Sequence, residues 1–236
     1  MSTGFPGFPA EGIEFWRALA RNNRREWFQP RKEVYEEQVR KPMLALVEAV
    51  NGALAGFAPD YMTEPVKAVF RIYRDTRFSK DKTPYKTHVA ASFHRHTGAG
   101  HDAGYYFAIS HKEVAIGGGI YMPEPQTLLA LRHHIAARHT EMRKLLANRA
   151  LRRLLGELQG EQLARVPKGF AADHPAGDLL RYKQLILYVE LAPELATTRA
   201  LYGEIVKRFR AMAPLMSFLT EPLGRARRKI DARDLL

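Results

Sequence analysis

Short stretches in which apolar and polar residues alternate constrain the fold of this chain more than any other feature. A β-strand places successive side chains on opposite faces, so such stretches are typical of half-buried strands. The segments that predict strands are residues 66–73, 88–94, 105–109, 114–116 and 185–191. The third and fourth read as a hairpin that turns near residues 110–112, and the glycines at 117–119 are expected to end the sheet region. The order of the first four predicts an antiparallel meander.

Apolar residues at helical spacing lie on both sides of these strands. The predicted helices cover residues 13–20, 24–54 with interruptions at Pro30 and Pro42, a segment opened by Pro123 and Pro125 that runs to 145, 151–158, and 193–216. Residues 165–175 contain two prolines and Gly169, which predicts a loop. Because no shift in composition marks a linker, we predict one α+β domain over residues 1–222, with a mainly antiparallel sheet and several packed helices. Residues 223–236 are predicted to form a basic C-terminal tail that is only partly ordered.

Composition excludes several classes of protein. The chain has 236 residues, of which 46% are hydrophobic, and this is enough material for a packed core. It contains no cysteine, which excludes disulfides, thiolate nucleophiles, zinc fingers and iron–sulfur clusters. No signal peptide and no run of about 18 uncharged apolar residues is visible. We therefore expect a cytoplasmic protein without a membrane partner.

The formal net charge of +12 is concentrated in two regions of the chain. Residues 66–96 contain eight basic and two acidic side chains, and residues 225–236 hold a further excess of three positive charges. Clustered positive charge raises the local concentration of anions and accelerates their arrival. The distribution of charge therefore predicts an anionic partner.

The densest part of the first region, residues 71–86, is the main candidate site. Arginine grips phosphate or carboxylate through paired hydrogen bonds, and lysine adds a point charge. The cations predicted to bind the anion are Arg71, Arg74, Arg77, Lys80, Lys82 and Lys86. If the protein is an enzyme, Asp75 is the first candidate for an acid or base and Tyr85 is the second.

A solvated basic loop, with Asp75 and Asp81 paired to nearby cations, is the structural alternative. Three residues favour a functional site over this alternative: Phe78, Pro84 and Tyr85. Exposing all three to water would be costly, which predicts an ordered, packed loop, and such loops often carry functional sites.

The sequence also resembles a known family. The motifs that carry the resemblance are Asn22-Asn23-Arg24-Arg25-Glu26-Trp27-Phe28, the run from Arg71 to Lys86 with its Arg-Asp-x-Arg-Phe-Ser-Lys-Asp-Lys-x-Pro-Tyr-Lys pattern, Gly117-Gly118-Gly119-Ile120-Tyr121-Met122-Pro123, and Pro167-Lys168-Gly169-Phe170 with His174-Pro175. In this order they resemble domain-of-unknown-function family 2461, over about residues 5–222. The resemblance implies a single domain, and it implies no activity, cofactor or substrate.

Further candidates lie outside residues 71–86. Arg24 and Trp27 are predicted near a helix start, where free backbone amides favour anions, although Asn23 as a helix cap and Trp27 in the core explain the same pattern. Lys168 is a possible anion ligand, and a plain turn explains it equally well. His88, His94 and His96 share one face of a predicted strand and form a zinc or iron alternative, which we weigh below a solvated strand face. The sequence therefore assigns no metal site and identifies no cofactor.

Three functions are compatible with residues 71–86. We favour binding of a phosphorylated small molecule or nucleotide, with or without a reaction, over binding of a nucleic acid. A domain that docks an acidic protein is the third alternative. Convergence of the cations on a closed pocket with Trp27 or Lys168 is expected for a small anion, whereas a stripe continuous with the C-terminal tail is expected for nucleic acid.

Overall fold

The computed structural model describes residues 4–95 and 103–224, and its centre is one four-stranded sheet. The strands, in both chain order and spatial order, are β1 (His88–His94), β2 (Gly104–Ser110), β3 (Val114–Ile120) and β4 (Leu185–Leu191). All three neighbouring pairs are antiparallel. The predicted α+β domain with an antiparallel sheet is confirmed, and the hairpin turns at the predicted position.

Helices precede the sheet, separate β3 from β4, and follow β4. The α-helices are α1 (Ala10–Arg21), α2 (Arg25–Phe28), α3 (Lys32–Tyr35), α4 (Lys41–Leu54), α5 (Pro65–Ala68), α6 (Pro125–Leu146), α7 (Arg149–Leu155), α8 (Gly177–Leu180) and α9 (Ala200–Thr220). A π-helical stretch, Glu36–Arg40, runs directly into α4, and Pro42 is the second residue of α4. Across the two described ranges, no helix is long and apolar enough to cross a membrane.

One part of the hydrophobic core lies between α9 and one face of the sheet. Phe209 of α9 packs against the rings of Phe93, Tyr105 and Phe107, with centroid distances of 5.9, 4.7 and 6.4 Å. All four side chains are fully buried. The alternation seen in the sequence therefore reports which face of each strand meets the helices.

The opposite face of the sheet carries a separate cluster, which we call the open face. It consists of the buried Ala90, Ala108 and Ala115 with the half-buried Tyr106 and Tyr188 packed against them. All five residues belong to strands, so in the described part of the chain no helix contributes to this cluster.

Asn51 in α4 fixes the chain segment that follows the helix. Its Nδ2 donates to the carbonyl of Thr63 at 2.7 Å, and its Oδ1 accepts from the Thr63 N–H at 3.1 Å. Both residues are buried, with 9% and 7% of their surfaces exposed. One carboxamide therefore satisfies both backbone groups of a buried residue.

The structure corrects two predictions about strands. Residues 66–73 do not form a regular strand, because Pro65 starts the short helix α5 and only isolated bridges follow, from Val69 to Ala91 and from Tyr73 to Tyr85. The glycines at 117–119 do not end the sheet but lie within β3. At Gly119, φ is +126° and a Cβ would lie 2.1 Å from the Leu185 carbonyl oxygen, so the close approach of β4 requires glycine there. The tail residues 225–236 lie outside the described residues.

Candidate anion-binding surface

The cationic segment, residues 71–86, is a loop on a fixed base. The Arg74 N–H donates to the Pro84 carbonyl at 2.9 Å, and the Lys86 N–H donates to the Ile72 carbonyl at 2.8 Å. These bonds join the two arms of the segment on either side of the Tyr73–Tyr85 bridge. Residues 75–83 therefore form the part that extends from the base.

Asn23 anchors this base to the N-terminal helices. Its Nδ2 donates to the Tyr85 carbonyl at 2.8 Å, and its Oδ1 accepts from the Tyr85 N–H at 3.1 Å. The interpretation of Asn23 as a helix cap is wrong, because Arg24 occupies the N-cap position of α2 and no side chain caps that helix. Asn23 instead satisfies both backbone groups of Tyr85, as Asn51 does for Thr63.

Tyr85 is a core residue at the foot of the loop. Its ring stacks on Phe28 with 4.2 Å between centroids, and 1% of the residue is exposed. Burial raises the pKa of the Tyr85 hydroxyl, so the phenol stays protonated at neutral pH. With 1% of the residue exposed, the hydroxyl has little access to a substrate as an acid or as a base, so the structure favours a packing role for Tyr85 over the predicted catalytic one.

Asp75 forms a local pair with Arg77. The Arg77 Nε and Nη2 donate to the two Asp75 oxygens at 3.1 and 2.8 Å, and the Arg77 N–H donates to Oδ1 at 3.2 Å. These hydrogen bonds lower the pKa of Asp75 to about 2 and raise the pKa of Arg77. An exposed carboxylate that stays ionised cannot act as a general acid near neutral pH, and it is a weak base. The arrangement therefore argues against the predicted catalytic role of Asp75.

Asp81 organises the other half of the loop. Its Oδ1 accepts from the Thr83 N–H at 2.9 Å, and Arg74 Nη1 bonds both Asp81 Oδ2 and the Thr83 hydroxyl. The Thr83 backbone bond and then the Arg74 bond hold the pKa of Asp81 at about 2. Lys82 Nζ donates to the Thr76 carbonyl at 2.9 Å, so these contacts give the exposed loop internal order.

The remaining cations of the segment are less engaged. Arg71 and Lys80 are exposed, and neither forms a side-chain hydrogen bond or ion pair with a residue that the structure describes. Lys86 Nζ lies 5.1 Å from the centre of the Phe70 ring, and burial lowers the pKa of Lys86. The structural alternative of local ion pairs thus holds for Arg74 and Arg77 but not for Arg71 and Lys80.

Exposed aromatic rings accompany these cations. Phe78 is 95% exposed, and Tyr73 and Phe70 are 46% and 42% exposed. The expectation that Phe78 packs within the loop is therefore wrong, because only Tyr85 of the predicted packing residues is buried and Pro84 is half-buried. The guanidinium of Arg77 lies 5.8 Å from the Phe78 ring centre, so the exposed ring and a cation are neighbours.

Candidates outside the segment have contacts of their own. Trp27 is half-buried against Phe15 at 5.7 Å, which agrees with a core role, and Arg24 is exposed. The loop that carries Lys168 packs on α6 instead, where Phe170 meets His133 with 5.0 Å between ring centroids. The structure therefore gives Trp27 a packing role and places Lys168 on a loop attached to a different helix.

The histidines of β1 do not form a metal site. His88 and His94 are the first and last residues of the strand, about 20 Å apart at the usual rise per residue, so they cannot ligate one ion. No group of three or more metal-ligating residues occurs within residues 4–95 and 103–224. His96 lies outside the described residues.

A cavity of about 1020 Å³ lies between the turn Pro59–Tyr61, α6 and α9, and no residue of the cationic segment lines it. None of the six predicted cations therefore lies at this cavity.

Comparison with known proteins identifies one family. A family model described as conserved hypothetical protein (DUF2461) matches residues 11–218. No curated protein and no solved structure matches the chain.

Proposed function

The chain belongs to the DUF2461 family of conserved hypothetical proteins, and we propose from its geometry that the cationic segment binds an extended, phosphate-bearing polyanion. Arg71 and Lys80 carry the proposal, because they are exposed cations without an ion-pair partner among the described residues. Arg77 and Arg74 are paired with Asp75 and Asp81. Arg71 and Lys80 are therefore the side chains most available to bind phosphate.

The openness of the surface favours a polyanion over a small ligand. Small-molecule sites are usually concave and bury most of their ligand. In the cationic segment, four of the six cations are exposed instead. Three exposed aromatic rings lie in the segment or beside it. The binding of a phosphorylated small molecule or nucleotide, which the sequence favours, stays a prediction, and it would need a closed site. A cytoplasmic location also stays a prediction.

Salt dependence tests the proposal directly. Each phosphate contact with a single strand contributes about −0.7 to the slope of log affinity against log salt concentration. We expect oligonucleotide affinity to fall steeply between about 50 and 200 mM salt, and the double variant Arg71→Ala, Lys80→Ala to reduce the slope by about 1.4.

The matched control is the double variant Lys144→Ala, Arg149→Ala. It removes the same charge from two exposed side chains elsewhere on the surface. An equal loss of affinity in both double variants, or a wild-type affinity that hardly changes with salt, contradicts a specific site in the cationic segment.

A further inference from the structure

The open face of the sheet presents two tyrosines in one cross-strand row. Tyr106 of β2 pairs with Gly117 of β3, and Gly117 pairs with Tyr188 of β4. A Cβ on Gly117 would lie 3.1 Å from Tyr188 Cδ2, so the Tyr188 ring lies against the glycine that separates the two tyrosines. Around them the face is built from the small side chains of Ala90, Ala108 and Ala115. This combination makes a surface of small side chains in which the two tyrosines are half-buried.

The open face is continuous with the cationic segment. The Tyr106 ring lies 6.4 Å from the Phe70 ring, and Lys86 Nζ lies 5.1 Å from the centre of Phe70, which extends this chain of contacts. Arg71 follows Phe70 directly in the chain. Aromatic surface and unpaired positive charge therefore adjoin each other.

We propose that the open face is a base-stacking platform for single-stranded nucleic acid. Tyr106, Tyr188 and Phe70 stack on bases, while Arg71, Lys80 and Lys86 bind the phosphates. This inference rests on the proposed polyanion function and names the class of polyanion. Four-stranded sheets in RNA-binding modules use aromatic side chains in this way, and such stacking accepts any base because every base has a π-face.

Positive charge at the Phe70 end of the open face favours a nucleic acid as its occupant. Lys86 lies beside Phe70 and Arg71 follows Phe70 in the chain, whereas Glu113 and Glu190 lie close enough to the tyrosines to raise their pKa values further. Burial is the main cause of both raised pKa values, so the hydroxyls stay neutral and do not repel phosphate. The uneven charge directs the phosphate chain toward Lys86 and leaves the bases over the tyrosines.

The test compares three anions: a single-stranded oligonucleotide, a duplex of equal length, and inorganic polyphosphate. We expect the wild-type protein to bind the single strand tightest. Tyr106→Leu and Tyr188→Leu should each weaken single-strand binding by about 5- to 150-fold and leave polyphosphate binding unchanged, because leucine keeps apolar cover but cannot stack. Tyr106→Phe and Tyr188→Phe should bind like wild type.

Tyr202→Leu is the matched control, because Tyr202 is also half-buried but lies on α9 and packs against the main core. Ultraviolet crosslinking of the single strand should map to Tyr106 or Tyr188 in the wild-type protein. If Tyr106→Leu or Tyr188→Leu folds poorly, the platform is tested by Phe70→Leu and by the crosslinks. Phe70 is 42% exposed, so its replacement disturbs folding less.

The outcomes separate the two proposals. Undiminished single-strand binding by the leucine variants, with reduced binding by Arg71→Ala, Lys80→Ala, overturns the stacking platform and keeps the polyanion function. Equal affinity for single strand, duplex and polyphosphate likewise overturns the platform alone. Absence of binding to all three anions overturns both proposals.

Discussion

Replacing Asn23 by alanine tests whether the base of the cationic segment depends on one side chain. The variant removes the acceptor of the Tyr85 N–H and the donor to the Tyr85 carbonyl, at 3.1 and 2.8 Å. Each hydrogen bond contributes about 0.5–1.5 kcal/mol net, so we expect a loss of about 1–3 kcal/mol in the free energy of unfolding. For a chain of this length, that loss lowers Tm by about 2–12 °C.

Two other asparagines calibrate this number. Asn22→Ala removes a single bond, from Nδ2 to the Ala18 carbonyl at 3.0 Å near the end of α1, and should cost about 0.5–1 kcal/mol. Asn51→Ala breaks an equivalent pair of bonds, to Thr63, and should cost about 2–5 kcal/mol, because Asn51 is itself buried whereas Asn23 is half-buried, so water replaces the lost carboxamide less readily at Thr63.

Urea unfolding followed by circular dichroism measures all three variants. The expected order of destabilisation is Asn51→Ala, then Asn23→Ala, then Asn22→Ala. Asn23→Ala that costs no more than Asn22→Ala would show that the paired bonds to Tyr85 do not hold the base, and the reasoning from bond count and burial would fail.

Three further predictions concern the same loop. Asp75→Asn should strengthen single-strand binding about two- to fivefold at low salt, since it removes a negative charge and releases Arg77. The control is Glu157→Gln, which releases Arg152 outside the cationic segment; its affinity for the same single strand should stay at the wild-type value. The Asp75 carboxyl should titrate near pH 2 by NMR, and in Arg77→Ala its pKa should rise toward 3.8. Because folding lowers this pKa, the contribution of Asp75 to the free energy of unfolding is complete above pH 3.8 and is lost as the pH falls through about 2. Tyr85→Phe should stay within about 1 kcal/mol of wild type, whereas Tyr85→Ala should lose about 3–5 kcal/mol of unfolding free energy through its contact with Phe28, and a reversed order in urea unfolding would contradict the packing role.

The sequence predicted strands and helices well where the spacing of apolar residues matched the faces that are buried in the structure. β1 and β4 lie within the predicted residues 88–94 and 185–191. Residues 66–73 show the same period, but Pro65 begins a helical turn and only single residues pair with neighbouring chain segments. The period shows which side chains face the core, and it does not show whether the backbone finds a continuous partner.

The candidate site was only partly predictable for a related reason. Charge density in the sequence located residues 71–86, but the pairing of Arg77 with Asp75 and of Arg74 with Asp81 depends on the shape of the loop. Tyr106 and Tyr188 were missed, because an alternating strand looks the same whether its second face is covered or open. The signal that was present is the set of small residues, such as Ala108 and Ala115, that alternate with core residues on neighbouring strands.

The Asn51 contact has a consequence for the chemical ageing of the protein. Asn51 precedes Gly52, and an asparagine before glycine readily deamidates when the glycine nitrogen can attack the side-chain carbonyl. Within α4 the helical backbone and the two bonds to Thr63 hold the carboxamide away from that attack. A molecule that unfolds exposes this position, and conversion to aspartate removes the donor that Thr63 needs. Deamidation of Asn51 is therefore expected to follow the opening of α4.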